Sequence, residues 1–220
     1  MNKIAALLLL LIMVFSLCAC GCRHEWIEAT CTEPEICAKC GKIGGSPLGL
    51  GHIWTEATCT EPKTCSRCGA TEGDPLGHSW TEQTETTPRI CLVCGAMEPM
   101  PLPQNGQAFI GRDTPRGSQL TIKAADQSVY IKLKDAYGND VFSFFVQANQ
   151  TAVVEVPAGQ LYVYFAYGDE WYGPEYCFGE NTFYSKDDEA LNLDTYTYTY
   201  TLYQVTDGNF SETPIDENEF

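Results

Sequence analysis

The chain has 220 residues, of which 44% are hydrophobic, and its 13 basic and 29 acidic side chains give a formal net charge of −16. Such an acidic protein offers no basic face to a phosphate backbone, so nucleic acid is excluded as an expected partner. Twelve cysteines in a chain of this length indicate metal sites or disulfides.

The N-terminus has the pattern of a bacterial export signal over residues 1–19. One lysine precedes an apolar run at 4–17, which has the length of a signal peptide core and is short for a membrane span. The run ends in "LCAC" at 17–20, which resembles the lipobox of bacterial lipoproteins. The resemblance implies acylation of Cys20 and a protein anchored to the bacterial cell membrane. The alternative is an uncleaved helical anchor, and both interpretations place residues 21–220 outside the cytoplasm.

Three related copies of one unit then occupy residues 20–99, at 24–51, 52–77 and 78–99. They contain "HEWIEATCTEPEICAKCG", "HIWTEATCTEPKTCSRCG" and "HSWTEQTETTPRICLVCG", with a period of 28 and then 26 residues. The difference in period lies entirely after the CxxCG sequence. Units this short bury too little apolar surface to be stable alone, so each requires a metal ion or a disulfide.

Each of the first two copies has the pattern H-x6-C-x5-C-x2-C. Three thiolates and one imidazole form a closed tetrahedral shell that suits a structural Zn²⁺ ion. Because this spacing is constant within a copy, whereas the distance to the following histidine varies, the sequence predicts that each shell closes within one copy. The predicted ligands are His24, Cys31, Cys37 and Cys40, then His52, Cys59, Cys65 and Cys68, then His78, Glu85, Cys91 and Cys94.

Two alternatives to zinc stand beside this prediction. Disulfides are common outside the cytoplasm, but three cysteines per copy is an odd number, and disulfides give no reason for a recurring histidine. A redox-active CxxC would require a thioredoxin-like βαβ context, which the pattern lacks. The third copy has Glu85 in place of a cysteine, which predicts a weaker site. The repeats resemble Cys/His units of surface proteins from anaerobic gut Gram-positive bacteria, and this resemblance implies a stalk or display role.

A change to β-type patterning follows a Pro-rich segment at 100–106, which is predicted to be a linker. The short segments "QLTIKA", "SVYIKLKD", "DVFSFFVQ", "TAVVEV" and "QLYVYFAY" are rich in β-branched and aromatic residues. Later, "TYTYTYTLYQ" alternates, which places Tyr196, Tyr198, Tyr200 and Leu202 on one face. The sequence therefore predicts a mostly β protein, in which zinc-stapled repeats precede an all-β sandwich over 107–220.

The stretch "YIKLKDAYGNDVFSFFVQANQTAVVEVPAGQLYVYFAYG" is similar to the prealbumin-like and PEGA-like sandwiches of bacterial surface proteins. The following "WYGPEYCFGENTFYSK" looks like part of a β domain found at the C-termini of membrane-tethered bacterial proteins. These resemblances imply an immunoglobulin-like or prealbumin-like fold in an extracytoplasmic setting, without a defined activity.

Aromatic and acidic residues crowd the segment 169–184. Trp171, Tyr172 and Tyr176 are candidate ligand-binding residues, because aromatic rings beside carboxylates bind sugars or cationic peptides. The alternative is that these rings fill the end of the sandwich.

Catalysis is not expected, because all three histidines belong to the repeats and the β domain has none. A carboxylate pair of the glycosidase type is the one catalytic arrangement left open. The predicted function is binding or display of a cell-wall, glycan or protein ligand at the membrane surface. The alternative function is capture of zinc by a surface lipoprotein.

Overall fold

The computed structural model describes residues 23–45, 51–111, 117–194, 197–202 and 211–220. The contacts of the chain divide it into two units, Met1–His78 and Ser79–Phe220. The predicted signal peptide and the Cys20 acylation site lie outside the described residues. No helix in the described segments has the length and apolar character needed to cross a bilayer. The protein is mostly β, which confirms the predicted fold class.

The first unit contains two copies of one small hairpin. Its strands are β1 (Trp26–Ile27), β2 (Ile36–Cys37), β3 (Trp54–Thr55), β4 (Lys63–Cys65) and β5 (Thr71–Glu72). β1 pairs with β2 and β3 pairs with β4, and β5 adds a third strand to the second copy. In each hairpin the tryptophan stands opposite the first cysteine of the CxxC, as Trp26 opposite Cys37 and Trp54 opposite Cys65.

Two kinds of turn give the hairpins the same shape. At the loop end, the Thr30 hydroxyl accepts a hydrogen bond from the Glu33 N–H at 2.9 Å, and Thr58 does the same for Glu61 at 3.0 Å. Threonine favours such turns because its hydroxyl replaces a backbone acceptor. At the CxxC end, Gly69 has φ of +71°, which favours glycine, and its N–H bonds the Cys65 carbonyl at 2.9 Å.

The second unit begins with the third copy of the hairpin. β6 (Arg89–Ile90) pairs with β7 (Met97–Glu98), and an isolated bridge joins Trp80 to Cys91. The Thr87 N–H bonds the Thr84 hydroxyl at 3.0 Å, so the loop turn of the other copies is retained. The third copy therefore keeps the repeat fold.

Two sheets follow in the same unit. Their strands are β8 (Ser118–Lys123), β9 (Ser128–Lys134), β10 (Asp140–Val146), β11 (Thr151–Val156), β12 (Gln160–Gly168), β13 (Phe183–Asp187), β14 (Leu191–Asn192), β15 (Tyr198–Thr201) and β16 (Glu212–Pro214). The larger sheet has the order β10-β9-β12-β13-β16, with β14 paired to β12, and the smaller has the order β11-β8-β15. The five strands predicted before residue 170 are all confirmed.

A first hydrophobic core lies between the two sheets, as expected for a sandwich. Alternation along β9 places Val129, Ile131 and Leu133 in it, opposite Leu120 and Ile122 of β8. The predicted face of the last long strand is also present, because Tyr200 is buried in this core and Tyr198 and Leu202 pack against it. Tyr196 lies outside the described residues.

A second core covers the opposite face of the larger sheet. It consists of Met100, Tyr130, Phe145, Ala166, Trp171, Cys177, Phe178, Tyr184 and Phe220. The 100–106 segment is packed rather than a free linker, since Met100 is buried in this core and its N–H bonds the Trp171 carbonyl at 2.7 Å. The unit boundary instead falls between His78 and Ser79. The Pro-rich segment has no regular secondary structure. Its buried Met100 packs it against the sandwich.

Candidate metal centre

Four donors from two successive copies converge in the first unit. The ligand atoms of Cys31, His52, Cys65 and Cys68 all lie within 4.8 Å of one another, and we call this the four-donor group. The sulfurs of Cys31 and Cys65 are 3.6 Å apart, and the Cys68 sulfur is 3.4 Å from His52 Nδ1. A tetrahedral Zn²⁺ ion with Zn–S near 2.3 Å and Zn–N near 2.0 Å would hold its ligands about 3.5–3.8 Å apart. The donor set and its spacing therefore fit one metal ion.

This grouping corrects the expectation that each shell closes within one copy. Cys31 belongs with the donors of the second copy and not with His24, Cys37 and Cys40. The hairpin explains why. β1 and β2 pair so that Cys31 lies in the loop that joins them, whereas His24 and the CxxC lie at the open end of the ladder. One antiparallel hairpin thus presents its donors at opposite ends, and the loop cysteine reaches the next copy.

Among the described residues, a second cluster contains His24, Cys37 and Cys40, and we call it the three-donor group. Its ligand atoms also lie within 4.8 Å of one another, and the Cys40 sulfur is 3.4 Å from His24 Nδ1. Cys37 is buried and Cys40 is exposed. The imidazole and the two thiols therefore have the same relation as in the second copy.

The remaining predicted ligands fall on either side of the unit boundary. In the first unit, Cys59 and His78 lie within 4.8 Å of each other, and the Gly77 N–H bonds the Cys59 carbonyl at 3.1 Å. In the second unit, Cys91 is buried and Cys94 is exposed, as in the other CxxCG turns. Cys59 thus already lies beside the histidine of the following copy.

Glu85 occupies the loop position that holds Cys31 and Cys59 in the earlier copies. Its side chain is exposed, and among the described residues it belongs to none of the clusters of possible metal ligands. Glu85 instead borders a shallow surface depression with residues 104–108. The prediction of a third shell containing Glu85 is therefore wrong, because the loop donor serves the next copy and no fourth copy follows.

Hydrogen bonds from backbone N–H groups and from histidine lower the pKa of two of the thiols. Burial acts to raise the pKa of Cys65, but N–H groups of Arg67 and Cys68 and the His52 ring oppose it and lower that pKa to about 5. A similar balance, with His24 as the largest opposing contribution, lowers the pKa of Cys37 to about 6. Thiolates are the metal-binding form of cysteine, so both residues are suited to bind a cation near neutral pH.

Cys31 shows the opposite shift. Burial, followed by the nearby sulfurs of Cys68 and Cys65, raises its pKa to about 11. A third negative charge is unfavourable beside two others unless a cation neutralises them, and a bound metal ion reverses this effect. Cys31 is therefore the donor whose ionisation depends most on the metal.

A tryptophan ring lies beside each of the first two histidines. His24 and Trp26 have ring centroids 4.8 Å apart, and His52 and Trp54 have centroids 4.7 Å apart. Lys63 Nζ lies 5.2 Å from the Trp54 ring, a cation–π contact that the sequence analysis did not anticipate. Its signal was the basic residue two positions before the CxxC, which recurs in the third copy, where Arg89 lies over Trp80.

The candidate ligand-binding residues do not form an exposed aromatic surface. Trp171 is only 2% exposed and belongs to the second core, so it has no ring face available to a ligand. Tyr172 and Tyr176 are half-buried, and the Tyr172 hydroxyl donates to Glu170 at 2.9 Å. Trp171 is therefore a core residue, as the alternative expected, but it covers the outer face of the larger sheet instead of filling the end of the sandwich.

Comparisons with protein-family models, with curated proteins and with solved structures give no match for this chain. The donors and their geometry therefore define the class of site, which is a cysteine- and histidine-rich group positioned to hold a metal ion.

Proposed function

We propose that the Cys/His groups hold Zn²⁺ as a structural ion in a lipid-anchored, extracytoplasmic binding or display protein without catalysis. The observation that carries the proposal is the four-donor group. Three sulfurs and one imidazole nitrogen leave no coordination position for a substrate, which is typical of structural rather than catalytic zinc.

The repeat register supports a second ion of the same kind. Cys91 and Cys94 follow His78 at the spacing that separates Cys65 and Cys68 from His52. Cys59 already lies beside His78, as Cys31 lies beside His52. We therefore assign Cys59 and His78 to a second Zn²⁺ ion. The ion of the four-donor group then joins the first two copies.

The proposed location outside the cytoplasm rests on the lipobox-like sequence, and the net charge bears on how the protein meets the membrane. The lipobox-like sequence supports attachment at Cys20, and two or more acyl chains bind a membrane firmly, at about 0.8 kcal/mol per buried CH₂. The net charge of −16 disfavours contact between the protein body and anionic lipids. The acidic β domain would then meet a cell-wall, glycan or protein ligand outside the cytoplasm.

Elemental analysis of the full-length protein, purified in detergent without added metal, tests the zinc sites. We expect about two tightly held Zn²⁺ ions per chain, and a chelator should lower the melting temperature of the repeats, because metal binding to such units is coupled to folding. A metal-free protein with Cys31 or Cys65 in disulfides would contradict the proposal.

Mass spectrometry of the mature N-terminus tests the anchor separately. We expect a lipid-modified Cys20, and the Cys20→Ala variant should lose the modification. An unmodified N-terminus that begins at another residue would contradict the lipoprotein part of the proposal and would leave the zinc sites unaffected.

A further inference from the structure

The four-donor group combines one exposed sulfur with two buried ones. Cys68 is exposed, whereas Cys31 and Cys65 are 3% and 1% exposed. All four ligand atoms lie within 4.8 Å of one another, and the sulfurs of Cys31 and Cys65 are 3.6 Å apart. An oxidant from solvent therefore reaches Cys68 first, and two further sulfurs lie close enough to react with the oxidised form.

The surroundings of the two buried sulfurs differ. The Cys65 sulfur accepts hydrogen bonds from the backbone N–H groups of Arg67 and Cys68, which hold it in the CxxCG turn. The polar contacts of the Cys31 sulfur are instead with the sulfurs of Cys68 and Cys65. A disulfide that used Cys65 would weaken its hydrogen bonds, because N–H groups bond a thiolate more strongly than a neutral sulfur. A bond from Cys68 to Cys31 leaves them in place.

We propose that the four-donor group is an oxidation site, at which a peroxide joins Cys68 to Cys31 in a disulfide and expels the zinc ion. The inference rests on the proposed zinc binding and on the proposed location outside the cytoplasm, where disulfides persist. The remaining two donors, His52 and Cys65, are too few for the closed tetrahedral shell of a structural zinc ion. The ion therefore leaves when the disulfide forms.

The reaction balances in two steps. The Cys68 thiolate attacks one oxygen of hydrogen peroxide, the O–O bond breaks and hydroxide leaves, so Cys68 becomes a sulfenic acid. The Cys31 thiolate then attacks the Cys68 sulfur, the S–O bond breaks, a second hydroxide leaves and the S–S bond forms. The two sulfurs lose two electrons and the peroxide gains them. The zinc ion leaves as Zn²⁺, without a change in its oxidation state.

The disulfide would keep the two copies joined after the zinc ion has left. Cys31 lies in the loop of the first hairpin, and Cys68 belongs to the CxxC of the second. A cross-link between such distant positions closes a long loop, and long loops restrict the unfolded chain most. Oxidation therefore replaces a metal link between the copies with a covalent one.

Peptide mapping and zinc release, measured on the same samples, test this assignment. We would reduce the full-length protein in detergent, load it with Zn²⁺, remove the reductant and add hydrogen peroxide as the probe. Trypsin cleaves after Lys39 and Arg67, so Cys31, Cys65 and Cys68 fall in three different peptides. Mass spectrometry should show the Cys31 peptide joined to the Cys68 peptide, and fragmentation spectra locate the bond. A colorimetric chelator should detect zinc release, and dithiothreitol followed by Zn²⁺ should reverse both changes.

Two matched variants locate the reaction. In Cys31→Ser, the sulfenic acid of Cys68 has lost its partner, so dimedone should label Cys68 at least tenfold more than in the wild-type protein. Cys177→Ser removes a buried thiol of the β domain outside the group, and it should leave both the labelling and the disulfide unchanged.

The possible outcomes separate this inference from the proposed function. A protein that binds no zinc before oxidation would overturn both. Zinc-loaded protein in which peroxide joins Cys65 to another cysteine, or leaves Cys31 reduced, would overturn this inference alone.

Discussion

Trp171 lies at the centre of the second core, and four aromatic side chains surround its ring. The ring centroids of Phe145, Tyr130, Phe178 and Phe109 are 5.0, 5.2, 5.5 and 5.8 Å away. Two of these partners come from the larger sheet and two from the segments that cover it. The tryptophan therefore holds the covering segments on the sheet through edge and tilted contacts.

Trp171→Ala should lower the free energy of unfolding of the β domain by about 3–5 kcal/mol, because it leaves a cavity in a packed aromatic cluster. Chemical denaturation followed by circular dichroism measures this loss. The matched control is Tyr137→Ala, at a residue 91% exposed, which should change stability by less than about 0.5 kcal/mol. Equal effects of the two substitutions would show that Trp171 is not part of the core.

The buried thiol and tyrosine hydroxyls of the second core predict that the stability of the β domain falls at alkaline pH. Burial raises the pKa of Cys177 from 9.0 to about 12, and burial also raises the pKa of Tyr130 and Tyr184. The folded state keeps these protons while the unfolded chain releases them, so stability is complete below pH 9 and falls as the pH rises toward 12. Under reducing conditions, the urea midpoint of the wild-type protein should decrease between pH 8 and pH 11. The midpoint of the Cys177→Ala variant should decrease less over the same range. A midpoint independent of pH would contradict this prediction.

At the scale of the element, the hairpin repeat sends its donors in two directions. The histidine and the CxxC are positioned for a metal ion at the open end of the hairpin. The loop cysteine lies at the other end, beside the donors of the next copy. Metal binding and contact between copies therefore depend on each other. The third hairpin has Glu85 at the loop position where the first two have a cysteine.

A comparison of double variants distinguishes grouping between copies from grouping within one copy. Cys31→Ser and Cys65→Ser should each remove the same tightly held Zn²⁺ ion, so the double variant should lose little more than either single one. Cys31→Ser and Cys37→Ser should be additive, because they affect different groups. Zinc content and melting temperature measure both effects. The reverse pattern of additivity would restore the grouping within one copy.

The donors were predictable from the sequence, but their partners were not. A constant spacing from His24 to Cys31 and from His52 to Cys59 indicates a constant hairpin, and we interpreted it as a shared ion. The β-ladder places the histidine and the loop cysteine of one copy at opposite ends of the hairpin. The constant spacing therefore reflects the fold of the hairpin and not a shared ion. The variable stretch after the CxxCG sequence lies between a loop cysteine and the histidine it meets, so its length is not part of the constant spacing within a hairpin.

At the scale of the whole molecule, the five long strands were predictable from alternation and turn residues, whereas the second core was not. The side chains that cover the sheet in this core come from residues 100–109, 171–178 and the C-terminus, which have no period of their own. Phe220, the last residue, is buried beside Tyr184 with ring centroids 5.0 Å apart. Only tertiary structure brings such separated segments together, so local pattern gives no signal for them.

A pair of fragments tests where the β domain begins. Residues 99–220 retain Met100 and its bond to the Trp171 carbonyl, whereas residues 104–220 lack them. The longer fragment should fold alone and melt at a higher temperature than the shorter one, because deletion of Met100 opens the second core. A chelator should not change either melting temperature. Equal melting temperatures would show that the 100–103 segment is a linker after all.

The direction of the loop donor also has a consequence for how the array changes in evolution. Recombination that removes residues 52–77 joins Gly51 to His78 and leaves Cys31 at its original distance before a histidine and a CxxC. The shortened chain keeps a cysteine, a histidine and a CxxC in the sequence register of the four-donor group. Duplication of the same segment adds one ion without leaving an unmatched cysteine. The number of copies can therefore change by one at a time, while the last copy keeps Glu85 at its loop position.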